Sequence, residues 1–254
     1  MELFVRYDLE RLAKYATLPQ NTSRIRIYVT TNYACLHFAD VSYFNYCICL
    51  DIQQIRQIVE ETKRFYQATP HRLLVEDTVQ QADIHLFLKQ QGYCSKGRQV
   101  VLVAPDQFSK LNVTEVVTDL ERVSVVNLHP FTQDYLTAFE SNRTDAEPVA
   151  INFGQLLRSS DILLYRVLAD QRPVGIAALY QQNKHFLLAG GATLPLYRNQ
   201  GFHTGALINR LRYCYQHQPA SISAWAYEGS VSYQNMCRLG LVPHKRYWIY
   251  EHGI

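Results

Sequence analysis

At roughly 150 residues per domain, a chain of 254 residues holds either one long domain or two small ones. With 48% hydrophobic and 19% charged residues, and only 11 Gly and 9 Pro, the composition excludes a disordered or fibrous protein. The formal charge of +3 comes without any run of five basic residues, so there is no electrostatic footprint for nucleic acid or a membrane surface.

The opening Met1–Glu10 brings in acidic residues at once and has no apolar core of the secretory type. The longest uncharged apolar stretch, around Val41–Leu50, contains Ser and Asn and is too short to span a bilayer. The six cysteines form no CxxC pair, and most lie in apolar strings such as Tyr46-Cys47-Ile48-Cys49-Leu50. Buried free thiols in a reducing compartment follow, and a cytoplasmic protein is expected.

Strand-like runs occupy Arg24–Val29, Ala34–Ala39 and Tyr43–Leu50. Ile52, Ile55, Ile58, Val59, Thr62, Phe65 and Tyr66 then recur at three- and four-residue steps, which predicts an amphipathic helix over Asp51–Gln67 with Asp51 as its N-cap. A strand at Arg72–Val75, a helix at about Gln80–Gln91 closed by Gly92, and a strand at Gln99–Ala104 follow. The pattern weakens and turns polar from Pro105 to Leu120, which places a domain boundary near residue 120.

The second half reads as strand 122–128, helices near Asp134–Glu140 and Phe153–Arg158, and strands at 162–169, 174–181 and 184–192. Helix Thr204–Tyr215, strand Ser221–Ala226, helix Ser230–Leu239 and strand Tyr247–Glu251 complete it. Leu88-Lys89-Gln90-Gln91-Gly92-Tyr93 leads into a strand as Cys237-Arg238-Leu239-Gly240-Leu241 does, a short internal echo.

The informative segment runs from Leu187 to Leu207: an apolar strand ends at Pro195, a polar turn with Gly201 follows, and Ala206, Leu207, Leu211 and Cys214 mark a helix with one buried face. Such a turn presents backbone N–H groups that no helical carbonyl satisfies, and the helix dipole adds partial positive charge. A phosphate or pyrophosphate is the expected occupant, with Gly201 allowing close approach and Thr204 adding a hydroxyl. A plain tight turn in which Gly201 serves geometry alone is the competing reading.

Arg198-Asn199-Gln200-Gly201-Phe202-His203, preceded by Thr193-Leu194-Pro195, resembles the acetyl-coenzyme A signature of the GNAT acetyltransferase superfamily, with His203 where the pattern has Gly or Ala. The strand Ile222–Ala226 and the segment Ser230–Leu241 extend the resemblance, which covers about Arg122–Ile254. Residues 39–45 and the helices after them look like the N-terminal half of a two-domain, tandem GNAT-like subgroup. No counterpart of the Arg-x-x-Gly turn appears there, so residues 1–120 resemble a degenerate GNAT-like domain and residues 121–254 a complete one.

The fold this implies is α/β (α+β), with a central mixed, mostly antiparallel sheet flanked by helices. The activity it implies is N-acetyltransferase chemistry: direct transfer of an acetyl group from acetyl-CoA to an amine on a small molecule or peptide, without a covalent enzyme intermediate. Antibiotics, polyamines, amino acids and protein N-termini are all open as acceptors. Coenzyme A would be held by Thr193, Leu194, Arg198, Asn199, Gln200, Gly201, Phe202, His203 and Thr204, with the strand Leu187–Thr193 pairing with the pantetheine arm.

Many members of the superfamily protonate the leaving thiolate with a Tyr four residues before the Gly that ends the last helix, and that position here is Met236. Tyr233 and Tyr227 are the nearby substitutes for the acid, and Glu228 is the nearest acidic candidate for the base, since no carboxylate lies between His185 and Thr193. Scattered histidines without HExxH spacing argue against a metal site. A non-catalytic GNAT-fold module that binds coenzyme A or regulates is the alternative, and a tandem-GNAT aminoacyl transferase a further one, disfavoured by the missing basic stripe.

Overall fold

The computed structural model describes residues 1–78, 81–106, 117–141 and 145–253. In chain order the elements begin with helix α1 (Leu3–Tyr15), strands β1 (Ile25–Val29), β2 (Tyr33–Phe38) and β3 (Tyr46–Cys49), and helix α2 (Ile55–Tyr66). Then come β4 (His71–Glu76), α3 (Gln81–Gln90), β5 (Cys94–Val103), β6 (Asp119–Arg122), α4 (Leu128–Ala138) and α5 (Glu147–Leu156). The rest comprises β7 (Ile162–Ala169), β8 (Arg172–Gln182), β9 (His185–Thr193), α6 (Phe202–Gln216), β10 (Ser221–Tyr227), α7 (Val231–Arg238) and β11 (Val242–His252).

Two compact units result. One consists of Met1, Asp8–Val101 and Pro243–Ile254, the other of Glu2–Tyr7 and Leu102–Val242. Each contains both parallel and antiparallel strand pairs.

In the first unit the strand order is β1-β2-β3-β4-β11-β5. The β1–β2, β2–β3 and β4–β11 pairs are antiparallel, while β3 and β4 are parallel, with α2 as the crossover between them. Helices α2 and α3 supply Ile58, Val59, Tyr66, Ile84 and Leu88 to a core that includes Cys35, Cys47, Cys49, Leu73 and Val75 from the strands. Strand β2 is buried at every position, as expected for a strand covered on both faces.

In the second unit the order is β10-β9-β8-β7-β6, with β9 and β10 parallel, joined through α6, and the β6–β7, β7–β8 and β8–β9 pairs antiparallel. Helix α6 buries Gly205, Ala206, Leu207, Ile208, Leu211 and Cys214, the face its sequence spacing predicts. The run β2-β3-α2-β4-α3 is thus repeated as β8-β9-α6-β10-α7. The echo seen in the sequence has a geometric counterpart, for α3 and α7 are each followed by a glycine with positive φ, Gly92 at 85° and Gly240 at 84°.

Several expectations change. Residues 122–128 are not a strand: β6 ends at Arg122, and Asn127 folds back to accept from the Ser124 amide at 2.7 Å through Oδ1, leaving Val125 and Val126 exposed. That side-chain turn overrides the β-propensity of the valines. The strand predicted at 43–50 is divided, a 3-10 turn at Ser42–Phe44 preceding β3. Helix α4 starts six residues before the predicted Asp134, and α5 spans Glu147–Leu156 rather than 153–158. Helix α1 is an addition to the expected elements, its apolar residues interspersed with charges. The start predicted for α3 at Gln80, and most of the weakly patterned 105–120 segment, lie outside the described residues.

Asp51 caps as predicted, accepting from the Gln53 amide at 3.1 Å, although the turn it opens is a 3-10 turn at Ile52–Gln54 leading into α2. No disulfide is present. Cys35, Cys47, Cys49 and Cys214 are buried, Cys237 is half-buried and Cys94 is exposed. No helix among the described residues is long and apolar enough to cross a membrane.

Candidate functional site

In the second unit the parallel register of β9 and β10 ends at Leu188 opposite Ala224, yet β9 continues to Thr193 and β10 to Tyr227. The two strands diverge beyond that point, and the β9 edge from Ala189 to Thr193 has no partner in β10. Thr193 and Leu194 close this free edge, the Leu194 amide turning to the other side to donate to the Val174 carbonyl at 2.9 Å.

A 3-10 turn at Pro195–Tyr197 carries the chain to α6. Asn199 and Gly201 both adopt positive φ, 61° and 86°, so the chain coils into a concave amide-lined loop at the helix start. The first helical amide to find an acceptor is that of Gly205, which donates to the Gly201 carbonyl at 3.0 Å. Among the described residues, the amides of Asn199, Gln200, Gly201, Phe202, His203 and Thr204 have no acceptor. Six successive donors thus stand without acceptors at the positive end of a four-turn helix, a cradle whose electrostatics suit an anion.

The side chains divide the work. Arg198 turns away from the cradle: Nη1 donates to Glu140 Oε1 at 2.5 Å and Nη2 to the Ala138 carbonyl at 3.1 Å, tying the loop to the end of α4. Gln200 donates to the Leu196 carbonyl at 3.1 Å and stays exposed, whereas Phe202 and Thr204 are half-buried. His203 is not an exposed cap. It is half-buried, and the Asn235 side-chain amide approaches its Nδ1 at 3.3 Å, which puts the ring proton on Nε2. Desolvation, reinforced by the Arg210 charge, lowers its pKa to about 4 and keeps it neutral.

That contact links α6 to α7. Glu228 lies in the turn between β10 and α7, and Tyr233 lies in the first turn of α7, where its amide donates to the Ser230 cap hydroxyl at 3.2 Å. Both are half-buried, and Tyr227 beside them is exposed. Met236 is buried in the core.

Three further features of the site arise from tertiary structure. Gly190 and Gly191 oppose the single residue Ala177, because Ala178 pairs with Ala189 and Ile176 with Ala192; Gly190 has φ 46°, making a glycine bulge in β9. Arg210 of α6 is buried behind that bulge. Tyr7 of α1 also reaches the bulge, its hydroxyl 4.0 Å from where a Gly190 Cβ would stand, while Phe4 stacks on Trp225 of β10 at 4.1 Å. Glycines inside an apolar strand signal such a bulge.

The corresponding connection in the first unit differs. Strand β3 ends at Cys49, the turn from Leu50 to Gln54 contains no glycine, and the Asp51 carboxylate occupies the Gln53 amide, so an acidic group already stands where an anion would bind.

No protein-family model matches the chain, and no curated protein does. Solved structures do. A GCN5-related N-acetyltransferase from Kribbella flavida is 16% identical with a TM-score of 0.63, over 99% of this chain and 96% of that one. This chain has the GNAT fold. A tandem GNAT protein from the clavulanic acid biosynthesis pathway, solved without AcCoA, is 10% identical with a TM-score of 0.59, over 86% of this GNAT-fold chain and 77% of that one. A conserved protein of unknown function from Staphylococcus epidermidis is 15% identical with a TM-score of 0.62, over 89% and 92%. At these identities the likeness carries the fold.

Proposed function

We propose that the protein is an acetyl-CoA-dependent N-acetyltransferase acting on an amine of a small molecule or peptide. The observation that carries this reading is the free edge of β9 running directly into six unpartnered amides at the start of α6. A diverging strand pair offers peptide-like hydrogen bonds to an extended amide-bearing arm, and a cradle of N–H groups takes a diphosphate. Acetyl-CoA has both, and when bound it supplies an acetyl group activated as a thioester.

On this reading Asn199–Thr204 hold the pyrophosphate through the backbone, Thr193 and Leu194 flank the pantetheine path, and Arg198 supports the loop from behind. Neutral His203 offers Nε2–H as a further donor without adding charge. Glu228 is assigned to remove the amine proton and Tyr233 to return one to the departing sulfur, both through short water chains. Residues 1–120 form the degenerate copy, its Asp51-capped turn unable to take an anion, and residues 121–254 carry the cofactor site.

Calorimetric titration tests this: acetyl-CoA should bind with a 1:1 stoichiometry and weaken in high salt, and no heat at about 1 mM ligand would sink it. The burial of Met236 at the usual acid position favours a second reading, a module that binds acetyl-CoA without transferring its acetyl group. Binding without acetyl-CoA consumption across a broad amine panel would establish that one instead.

A further inference from the structure

Arg210 is the most deeply buried cation in the second unit, 1% exposed, and among the described residues no carboxylate pairs with it. Its hydrogen bonds run to backbone carbonyls alone. Nε donates to Ala206 at 3.2 Å one turn back on α6, and Nη1 donates to both Ala178 at 3.0 Å and Ala189 at 2.8 Å. Ala178 and Ala189 are the last directly opposed pair before the bulge. The guanidinium therefore caps the ladder where β8 and β9 fall out of step.

The glycines fit the cation. A Cβ on Gly191 would stand 2.9 Å from Arg210 Nη2, and a Cβ on Gly175 would stand 2.5 Å from the Ala192 carbonyl oxygen. Any side chain at these positions would displace the guanidinium or the bulge. With hydrogen in its place, the guanidinium packs directly against the Gly191 backbone of the bulge. Burial lowers the Arg210 pKa only to about 10, so the group is cationic throughout the neutral range. Burying a charge is costly even with three carbonyls to receive its hydrogen bonds, and a neutral donor could serve those carbonyls, so what the guanidinium adds is a fixed positive field.

We propose that Arg210 is a positioning residue that fixes the Gly190–Gly191 bulge and projects an uncompensated positive charge through it onto the acyl carbonyl held at the β9 edge. This rests on the acetyl-CoA reading above. A fixed cation in a dry setting polarises a carbonyl far more than the same charge in water, and needs no reorganisation when negative charge develops on the oxygen.

The test is the infrared carbonyl stretch of carbonyl-13C-labelled acetyl-CoA bound to the intact protein, with affinity measured alongside. Bound to wild type, the stretch should move to lower frequency than in solution. R210M should lose most of that shift while the Kd for acetyl-CoA changes by no more than about threefold, because the six backbone amides of Asn199–Thr204 that grip the anion are untouched. R210Q, which keeps a donor for the carbonyls but no charge, should lose it as well and serves if R210M fails to fold, whereas R210K should retain it. A wild-type complex with an unshifted carbonyl overturns the inference, as does R210Q with the full shift. A wild-type protein that binds no acetyl-CoA overturns the reading beneath it instead.

Discussion

Replacing Gly201 by valine should raise the Kd for acetyl-CoA by at least about 100-fold, close to 3 kcal/mol of binding free energy. Gly201 holds φ at 86°, a left-handed conformation that a β-branched residue adopts only under strain. Valine would therefore turn this residue toward negative φ and swing the Asn199–Thr204 amides out of their common focus. The loop is exposed and the helix it opens is anchored from Gly205 onward, so the loss should fall on the ligand more than on the fold. A backbone strain of about 1–3 kcal/mol corresponds to a fall of no more than roughly 10 °C in Tm for a protein of this size. Titration of G201V beside a thermal melt decides the matter: affinity within threefold of wild type would show that the cradle is not the nucleotide site.

The same cradle explains what could and could not be read from the sequence. Its strand, glycine turn and amphipathic helix are local features, and each is encoded within about twenty consecutive residues. The bulge behind it was visible as two glycines in an apolar strand, but its partner was not. Arg210 occupies a core-facing position among Ala206, Leu207, Leu211 and Cys214, and a positive charge there reads as solvent-facing until the freed carbonyls of Ala178 and Ala189 are known. Tyr7 was hidden because the apolar residues of α1 are interspersed with charges. The buried Asp8 of that helix accepts from Arg11 and from the Tyr46 hydroxyl, a tertiary arrangement that no periodicity announces. Val123–Leu128 misled in the opposite direction, since its turn is set by one asparagine side chain.

Acidification should reveal two opposed proton linkages, each worth about 3 kcal/mol. In the first unit His71 lies buried between Tyr66, stacked at 4.3 Å, and Tyr93, whose hydroxyl meets Nε2 at 2.9 Å, while Nδ1 donates to the Thr69 carbonyl. Desolvation lowers its pKa to about 4. The folded protein thus binds fewer protons than the unfolded chain between about pH 4 and 6.5, so the stability His71 contributes is complete above that window and is lost as pH falls through it. His203, also near 4, has the same sign. Asp8 has the other: fully buried and accepting from the Tyr46 hydroxyl at 3.0 Å, its carboxyl is pushed up by desolvation to about 6 in spite of Arg11. Its contribution is complete below about pH 4 and is lost as pH rises through 6. Urea unfolding at steps from pH 7 to 4 should show a net loss on acidification, since desolvation lowers His37 and His252 as well as His71 and His203, while only Asp134 joins Asp8 in being raised. H71F keeps the aromatic stack but cannot take a proton. Whatever it costs at pH 7 by leaving the Tyr93 hydroxyl without its partner, its stability should fall about 3 kcal/mol less than that of wild type over the series. D8N should fall about 3 kcal/mol more. Parallel curves for wild type and H71F would mean that His71 titrates in the folded protein as it does in the unfolded chain, and that the stacked, doubly hydrogen-bonded ring does not hold it neutral.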